Sequence, residues 1–235
     1  MKEVEDSCNL ETLRELYLAD LSKMVVYGKN PRPRVAHPGK WSRLESVVAL
    51  NEGVKQPASL EGRRVWMWSD LHFWHKNIIT FSERPYDSLE QMHEHLLLNH
   101  NEYVDKDDVV IWGGDIGFKA TSVINEMLAE YNGYKILIVG NHDFNGKKLR
   151  KLAFDETHLI YKIETPEVGL VFTHYPMYNI PKPYVNVHGH LHAFPNPVSN
   201  HPRHLNINCE VHGYKPIPLP AVAKQARMMV LADEI

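Results

Sequence analysis

The chain reads as an α/β protein, a sandwich of two packed β-sheets flanked by helices and preceded by an N-terminal helical extension. Three observations predict it. From Arg63 onward, short apolar runs alternate with stretches of helical periodicity, the pattern of layered α/β architecture. Past a basic stretch at 146–153 the chain becomes richer in strand-like runs and turn residues, which suits two sheets better than one doubly wound sheet. Five of the apolar runs also stop at side chains that bind metals: VWMWSDLH, VVIWGGD, ILIVGNHD, LVFTH and VNVHGHLH. In open α/β sheets functional groups gather just beyond the carboxyl ends of strands.

Length and charge narrow the field. The 235 residues suffice for one domain with an appendage, and the expected division is an N-terminal helix with a Pro-rich arm over 1–60 and the main domain over 61–235. A net charge of −3 provides no bulk basic field, so a nucleic-acid partner would need a local patch. Cys8 and Cys209 form no CxxC, and no charged n-region with an apolar h-region opens the chain. A secreted disulfide scaffold is therefore not expected, and the reducing cytoplasm is. No apolar run approaches the roughly 18 residues of a membrane span, and the residues assign no oligomeric state.

Taken in order, Asn9 caps a helix in which Leu10, Leu13, Leu16, Tyr17, Leu21, Met24 and Val25 recur at three- and four-residue spacing, with Gly28 as its stop. It either packs on the main domain or serves as a cap, a dimer contact or a substrate-guiding arm. Three prolines and several cations make 29–41 an extended arm. The first strand is expected at 64–69. Ser88 and Gln91 form a capping box opening a helix through Met92, Leu96 and Leu97 to about Val104. A second strand ends at Trp112, a helix over Thr121 to Tyr131 stops at Asn132-Gly133, and a third strand covers Lys135 to Val139. A short basic helix is expected near 146–153, then strands at 158–164, 169–173, 184–188 and 204–211.

The strand-end clusters carry the chemistry. Asp70 and His72 are two residues apart, so both can grip one ion through a carboxylate oxygen and an imidazole nitrogen. Asp115 follows two glycines that let the backbone approach an ion or phosphate closely. Asn141 and His142 follow Gly140, and His190 and His192 follow Gly189. Each pair alone is more often structural, but packing at strand ends requires neither Asp nor His, so their repetition speaks for a site. The absence of cysteine argues against a closed structural zinc site. Seven ligands (Asp70, His72, Asp115, Asn141, His174, His190, His192) exceed what one tetrahedral ion takes and suit two ions about 3.5–4 Å apart.

The ordered blocks Asp70-Leu-His72, Gly114-Asp115, Gly140-Asn141-His142-Asp143, His174 and Gly189-His190-Leu191-His192, spread over about residues 64 to 193, resemble the calcineurin-like metallophosphoesterases. The resemblance implies a β-sandwich of two mixed sheets with outer helices and two divalent metal ions per chain. Manganese is the first expectation, and the mixed O and N ligands also suit iron, zinc or nickel. It implies that Asp70, His72, Asp115 and His192 hold the first ion, and Asp115, Asn141, His174 and His190 the second. His142 would face the substrate unligated, with Asp143 behind it orienting the ring. The chemistry implied is hydrolysis of phosphate mono- or diesters by a bridging hydroxide attacking in line, with His142 stabilising the equatorial charge or protonating the leaving oxygen.

Specificity is expected from segments between ligands. Phe73, Trp74, His75, Lys76, Arg84 and Tyr86 form an aromatic and basic set after His72, and Tyr178, with Lys182 and Tyr184, follows His174. They point to a phosphorylated small molecule or nucleotide as substrate. The spacer HFWHKNIITFSERPYDSLEQM resembles small phosphoesterases of bacteria and their phages. Two other functions fit the same residues: a nuclease, which the charge balance does not favour, and a metal-stabilised binding scaffold without catalysis.

Overall fold

Period-two alternation along the strands sorts the core into layers. The structure, a computed structural model, describes residues 9–23, 25–26, 34–35, 60–143, 149, 151–165, 168–194 and 202–233. The chain begins with α1 (Leu10–Lys23) and a small antiparallel pair, β1 (Val25–Val26) with β2 (Arg34–Val35). There follow β3 (Val65–Trp68), α2 (Lys76–Phe81), α3 (Leu89–Tyr103), β4 (Val109–Trp112), α4 (Thr121–Glu130), β5 (Tyr134–Ile138) and β6 (Glu156–His158). The second half holds β7 (Tyr161–Glu164), β8 (Gly169–Thr173), β9 (Val185–His188), β10 (His204–Asn206), a 3₁₀ turn at Cys209–His212, β11 (Ile217–Pro218) and α5 (Leu219–Ala232).

Two mixed sheets result. The first runs β11-β3-β4-β5-β6, with β3 to β6 parallel and β11 antiparallel at the edge. The second runs β10-β9-β8-β7, parallel except for the β7/β8 hairpin. On β3, β4 and β5, Val65, Met67, Val109, Ile111, Ile136 and Ile138 point into the space between the sheets. There they meet Leu170, Phe172, Val185, Val187 and Leu205 of the second sheet. The alternate residues Trp68, Val110, Trp112 and Leu137 face outward onto Met92 and Leu96 of α3 and Ile124 and Leu128 of α4. Strands buried on both faces explain why these runs are continuously apolar. Val222 and Ala226 of α5 join the inter-sheet core. On the far side, Leu13 and Tyr17 of α1 pack with Val171, Tyr175 and Met177, so the helix lies against the second sheet. Asn9 caps it, its Oδ1 accepting from Thr12 N at 2.9 Å.

Several expectations need correcting. The run 158–164 is two strands in different sheets: Leu159 and Ile160, both buried, carry the chain from β6 to β7. A continuous apolar run does not reveal such a crossing. The strand at 204–211 stops at Asn206, and Asn208 leads into the 3₁₀ turn, which ends at Gly213 with φ 61°. α1 ends at Lys23, before Gly28, because Val25 pairs with Val35. Helices α2 and α5 lie where the spacing predicts none; α5 is disguised by Pro218 and Pro220, yet proline is tolerated in a first helical turn. At Ser88 the hydroxyl accepts from Gln91 N (3.1 Å), but Gln91 Oε1 reaches Asp87 N (2.7 Å) instead of the cap's own amide. The basic helix near 146–153 and the boundary near residue 60 lie largely outside the described residues.

Candidate metal centre

The loops leaving β3 and β4 continue their pairing past the strand ends. Asp70 N donates to Gly114 O (3.1 Å), His72 N to Asp115 O (3.0 Å) and Phe73 N to Ile116 O (2.8 Å). The second sheet is tied in by His174 Nδ1 on Gly113 O (2.8 Å) and His190 N on Asp70 Oδ2 (2.9 Å). Close nesting demands glycine at two points. A Cβ on Gly114, whose φ is +101°, would press on Gly140 N and His174 Nδ1, and one on Gly140 would strike the Asp115 carboxylate and amide. Five candidate ligands, Asp70, His72, Asp115, His190 and His192, have positive φ between 50° and 69°. The left-handed region is sparsely used by side-chain-bearing residues, and such strain concentrates at functional sites.

Two clusters of donor atoms result: Asp70, His72 and His192, and Asp115, His174 and His190, with the atoms of each within 4.8 Å of one another. Asp115 Oδ2 is 3.6 Å from His72 Nε2 and 3.5 Å from His174 Nε2, so it stands between the clusters. Asp70 Oδ1 lies 3.7 Å from His72 Nε2 and 3.8 Å from His192 Nε2. Ligands about 2.0–2.2 Å from a tetrahedral ion are about 3.4 Å apart, close to these separations. Asp70 Oδ1 and His72 Nε2 are buried without any hydrogen-bond partner, and a cation at their meeting point would satisfy both. Asn141 Oδ1 faces His174 Nε2 at 3.0 Å. When His174 gives its single proton to Gly113 O, these two are acceptors confronting each other, a clash that a cation relieves.

Charge points the same way. Burial, then the Asp70 and Asp143 carboxylates, push Asp115 up to about 7, although His174 opposes the shift. Burial also works against ionised Asp70, but His174, His72 and His192 hold it well below the usual carboxylate range. Burial keeps His190 neutral, far below its ordinary pKa, and lowers His72 to about 4, as a ligating imidazole requires. Seven donors of mixed O and N type, orphaned atoms and two opposed carboxylates fit divalent cations.

Other expected site residues divide sharply. His142 sits at the cluster edge, its Nε2 3.8 Å from Asp115 Oδ2 and its side chain 41% exposed. Asp143 does not hold its ring. The buried Asp143 carboxylate instead accepts from the amides of Asp115 (2.8 Å), Ile116 (3.1 Å) and Gly140 (2.9 Å), locking together the loops after β4 and β5. His75 reaches the mouth, 3.3 Å from His72 Nδ1. Lys76 is exposed at the start of α2. Phe73 is fully buried in the helix-side core, and Trp74 packs against that core with its amide on His93 Nε2 (3.0 Å). Arg84 is not at the mouth: it is buried, donating to Leu71 O, Asp70 O and Glu210. Tyr86 is buried on His95. Tyr178 is exposed and lines a groove with Leu16, Ile180 and Arg203, its amide on Asp20 of α1. Lys182 pairs with Asp233, and Tyr184 with Lys162 and Glu164.

Three further side chains, none in a motif, complete the centre. Glu210 accepts from His192 Nδ1 (2.8 Å) and pairs with Arg84 (2.6 Å), which fixes the tautomer presenting Nε2 to the cluster. Phe118, 41% exposed, has its ring centroid 4.8 Å from that of His142 and 5.9 Å from that of His72. Tyr175 packs its ring 4.1 Å from His190. The only available signal was adjacency to a motif, for Tyr175 beside His174 and Phe118 three residues past Asp115.

Residues 63–220 match the family model described as Calcineurin-like phosphoesterase. An uncharacterized protein of Methanocaldococcus jannaschii is 31% identical over 170 residues, 69% of this chain and 90% of the relative. A crystal structure of a protein of unknown function from Aquifex aeolicus superposes with a TM-score of 0.57 at 26% identity, covering 69% of this chain and 99% of that one.

Proposed function

The chain belongs to the calcineurin-like phosphoesterase family, and from that premise we propose that it is a metal-dependent hydrolase of phosphate esters with a binuclear centre. The observation that carries this reading is the position of Asp115 Oδ2, 3.6 Å from His72 Nε2 and 3.5 Å from His174 Nε2, between two donor clusters. Asp70, His72, Asp115 and His192 would hold one divalent ion, and Asp115, Asn141, His174 and His190 the other, with manganese as the first expectation. Ions held there supply a nucleophilic water at neutral pH and neutralise the phosphoryl oxygens.

The remaining chemistry falls to the protein. His142, half-exposed at the edge of the clusters, is placed to donate an N–H hydrogen bond to an equatorial or leaving oxygen and so stabilise its developing charge. Burial, then the neighbouring His72, His174 and His75 rings, lower its pKa to about 4, so it meets the substrate as a neutral imidazole at pH 7. Glu210 holds His192 in one tautomer, and Arg84 neutralises Glu210. Asp143 keeps the Asp115 and Asn141 loops in register. The substrate is a phosphorylated small molecule or nucleotide, and a soluble compartment such as the cytoplasm accords with there being, among the described residues, no helix long and apolar enough to cross a membrane.

The test is hydrolysis by Mn²⁺-loaded protein of p-nitrophenyl phosphate, bis-p-nitrophenyl phosphate, 2′,3′-cyclic nucleotides and single-stranded DNA, with His142→Ala as the blank. Turnover of at least one ester that His142→Ala lowers by about 10²–10⁴-fold supports the reading. Silence on all four overturns it in favour of a binding scaffold.

A further inference from the structure

Exposed phenylalanine is concentrated at one place. Among the described residues, Phe73 and Phe172 are buried and Phe154 is half-buried, while Phe81, Phe118 and Phe194 are exposed by 43%, 41% and 51%. Each of these three stands beside a histidine of the centre or its mouth. Phe81 lies 6.2 Å from His75 and Phe194 6.2 Å from His192, measured between ring centroids. Phe118 touches three such rings: His75 at 4.5 Å, His142 at 4.8 Å and His72 at 5.9 Å, the last nearly parallel at 17°. His72 lies 5.1 Å from His192, so rings follow one another from Phe118 across the Asp70, His72 and His192 cluster to Phe194.

Packing within the protein does not require this exposure. The core face of the same loop is already filled by Ile116, while Phe118 turns outward next to exposed Lys119. Its backbone is fixed by its amide on Phe73 O (3.0 Å), so the side chain stands on an ordered ladder. A rigid aromatic face beside a phosphate-binding centre, with a cation adjacent, offers stacking without a hydrogen-bonding edge to choose among bases.

We propose that Phe118 is the platform for a flat ring of the substrate, so that the centre selects phosphate esters carrying a nucleobase or similar ring over esters that lack one. This rests on the phosphoesterase reading for the position of the phosphate. Phe81 and Phe194 extend the same rim. Phe118, not Phe73 or Trp74, is then the residue that sets specificity.

The test uses full-length Mn²⁺-loaded protein and calorimetric binding of slowly hydrolysed thiophosphate analogues of adenosine monophosphate, ribose 5-phosphate and hexyl phosphate. The adenosine compound should bind about tenfold or more tightly than the ribose compound. That ratio should fall toward one in Phe118→Ala and return in Phe118→Trp, with melting temperature reporting that each variant is folded. A ratio near one in the wild type, a ratio unchanged by Phe118→Ala, or hexyl phosphate binding as tightly as the adenosine compound would each overturn the platform. Hydrolysis of the p-nitrophenyl esters by the same preparation tests the phosphoesterase reading separately: selective binding without turnover sinks the activity and leaves the platform standing.

Discussion

Asp143 shows how much one buried carboxylate can organise. It bonds backbone amides and none of the donor atoms of the clusters: it gathers those of Asp115, Ile116 and Gly140, and the same Asp115 then accepts from His142 N through Oδ1 (2.8 Å) and keeps Oδ2 for the centre. Charge-assisted bonds of this kind contribute more than neutral ones, and removing the acceptor leaves several buried amides unmet. Asp143→Ala should therefore destabilise the protein by about 3 kcal/mol or more, and it should lower metal content as the Asp115 loop loosens. His142→Ala should do neither while activity collapses. Melting temperature and metal analysis on the two variants decide the matter: an Asp143→Ala protein with wild-type stability and full metal would remove Asp143 from the scaffold of the centre. Its neighbour Asn141 and the glycine before it belong to a motif legible in the sequence. The direction of its carboxylate was not, because adjacency to His142 says nothing about which backbone amides a turn brings round.

Among the elements, α1 has the least obvious purpose, since it precedes the region that matches the family. Its contacts supply one. Tyr17, almost fully buried, accepts from Tyr175 N (3.1 Å), while Asp20 accepts from Tyr178 N (2.9 Å), Asn179 N (3.0 Å) and Asn179 Nδ2 (2.8 Å). The helix thereby fastens the loop that carries His174 and lays Tyr175 on His190. Tyr17→Phe keeps the ring but removes the hydroxyl that accepts from the Tyr175 amide, a loss of about 1–3 kcal/mol, and metal affinity should weaken severalfold because His174 and His190 lose their support. Calorimetric titration with Mn²⁺ separates the two effects. A lower melting temperature with unchanged affinity would reduce α1 to packing alone. The stripe of Leu13 and Tyr17 and the cap at Asn9 were readable from spacing, whereas the polar work of Asp20 was not, because its partners lie some 158 residues away.

Across the whole molecule, the donors are shared between the sheets: Asp70, His72, Asp115 and Asn141 follow strands of the first, and His174, His190 and His192 follow strands of the second. Continuous apolar runs and terminal motifs made that convergence legible in advance. The left-handed backbone at five of these residues was not, nor was the closure by α5, since both depend on packing across the sandwich. Ions at the two clusters would act as rivets between the sheets, adding to the direct links from His190 N to Asp70 and from His174 to Gly113 O. Because an ion bound only by the folded chain stabilises it, Mn²⁺ at about 100 times its dissociation constant should add roughly 2.7 kcal/mol. For a protein of this size that is a rise of about 5–10 °C in melting temperature over the chelator-treated protein. Asp115→Ala should forfeit most of that rise, since one carboxylate stands between both clusters, whereas Phe118→Ala should keep it. Scanning calorimetry with and without Mn²⁺ reads all three. A melting temperature that ignores both metal and chelator would mean that the clusters hold no ion and that the two sheets are joined by hydrogen bonds and apolar packing alone.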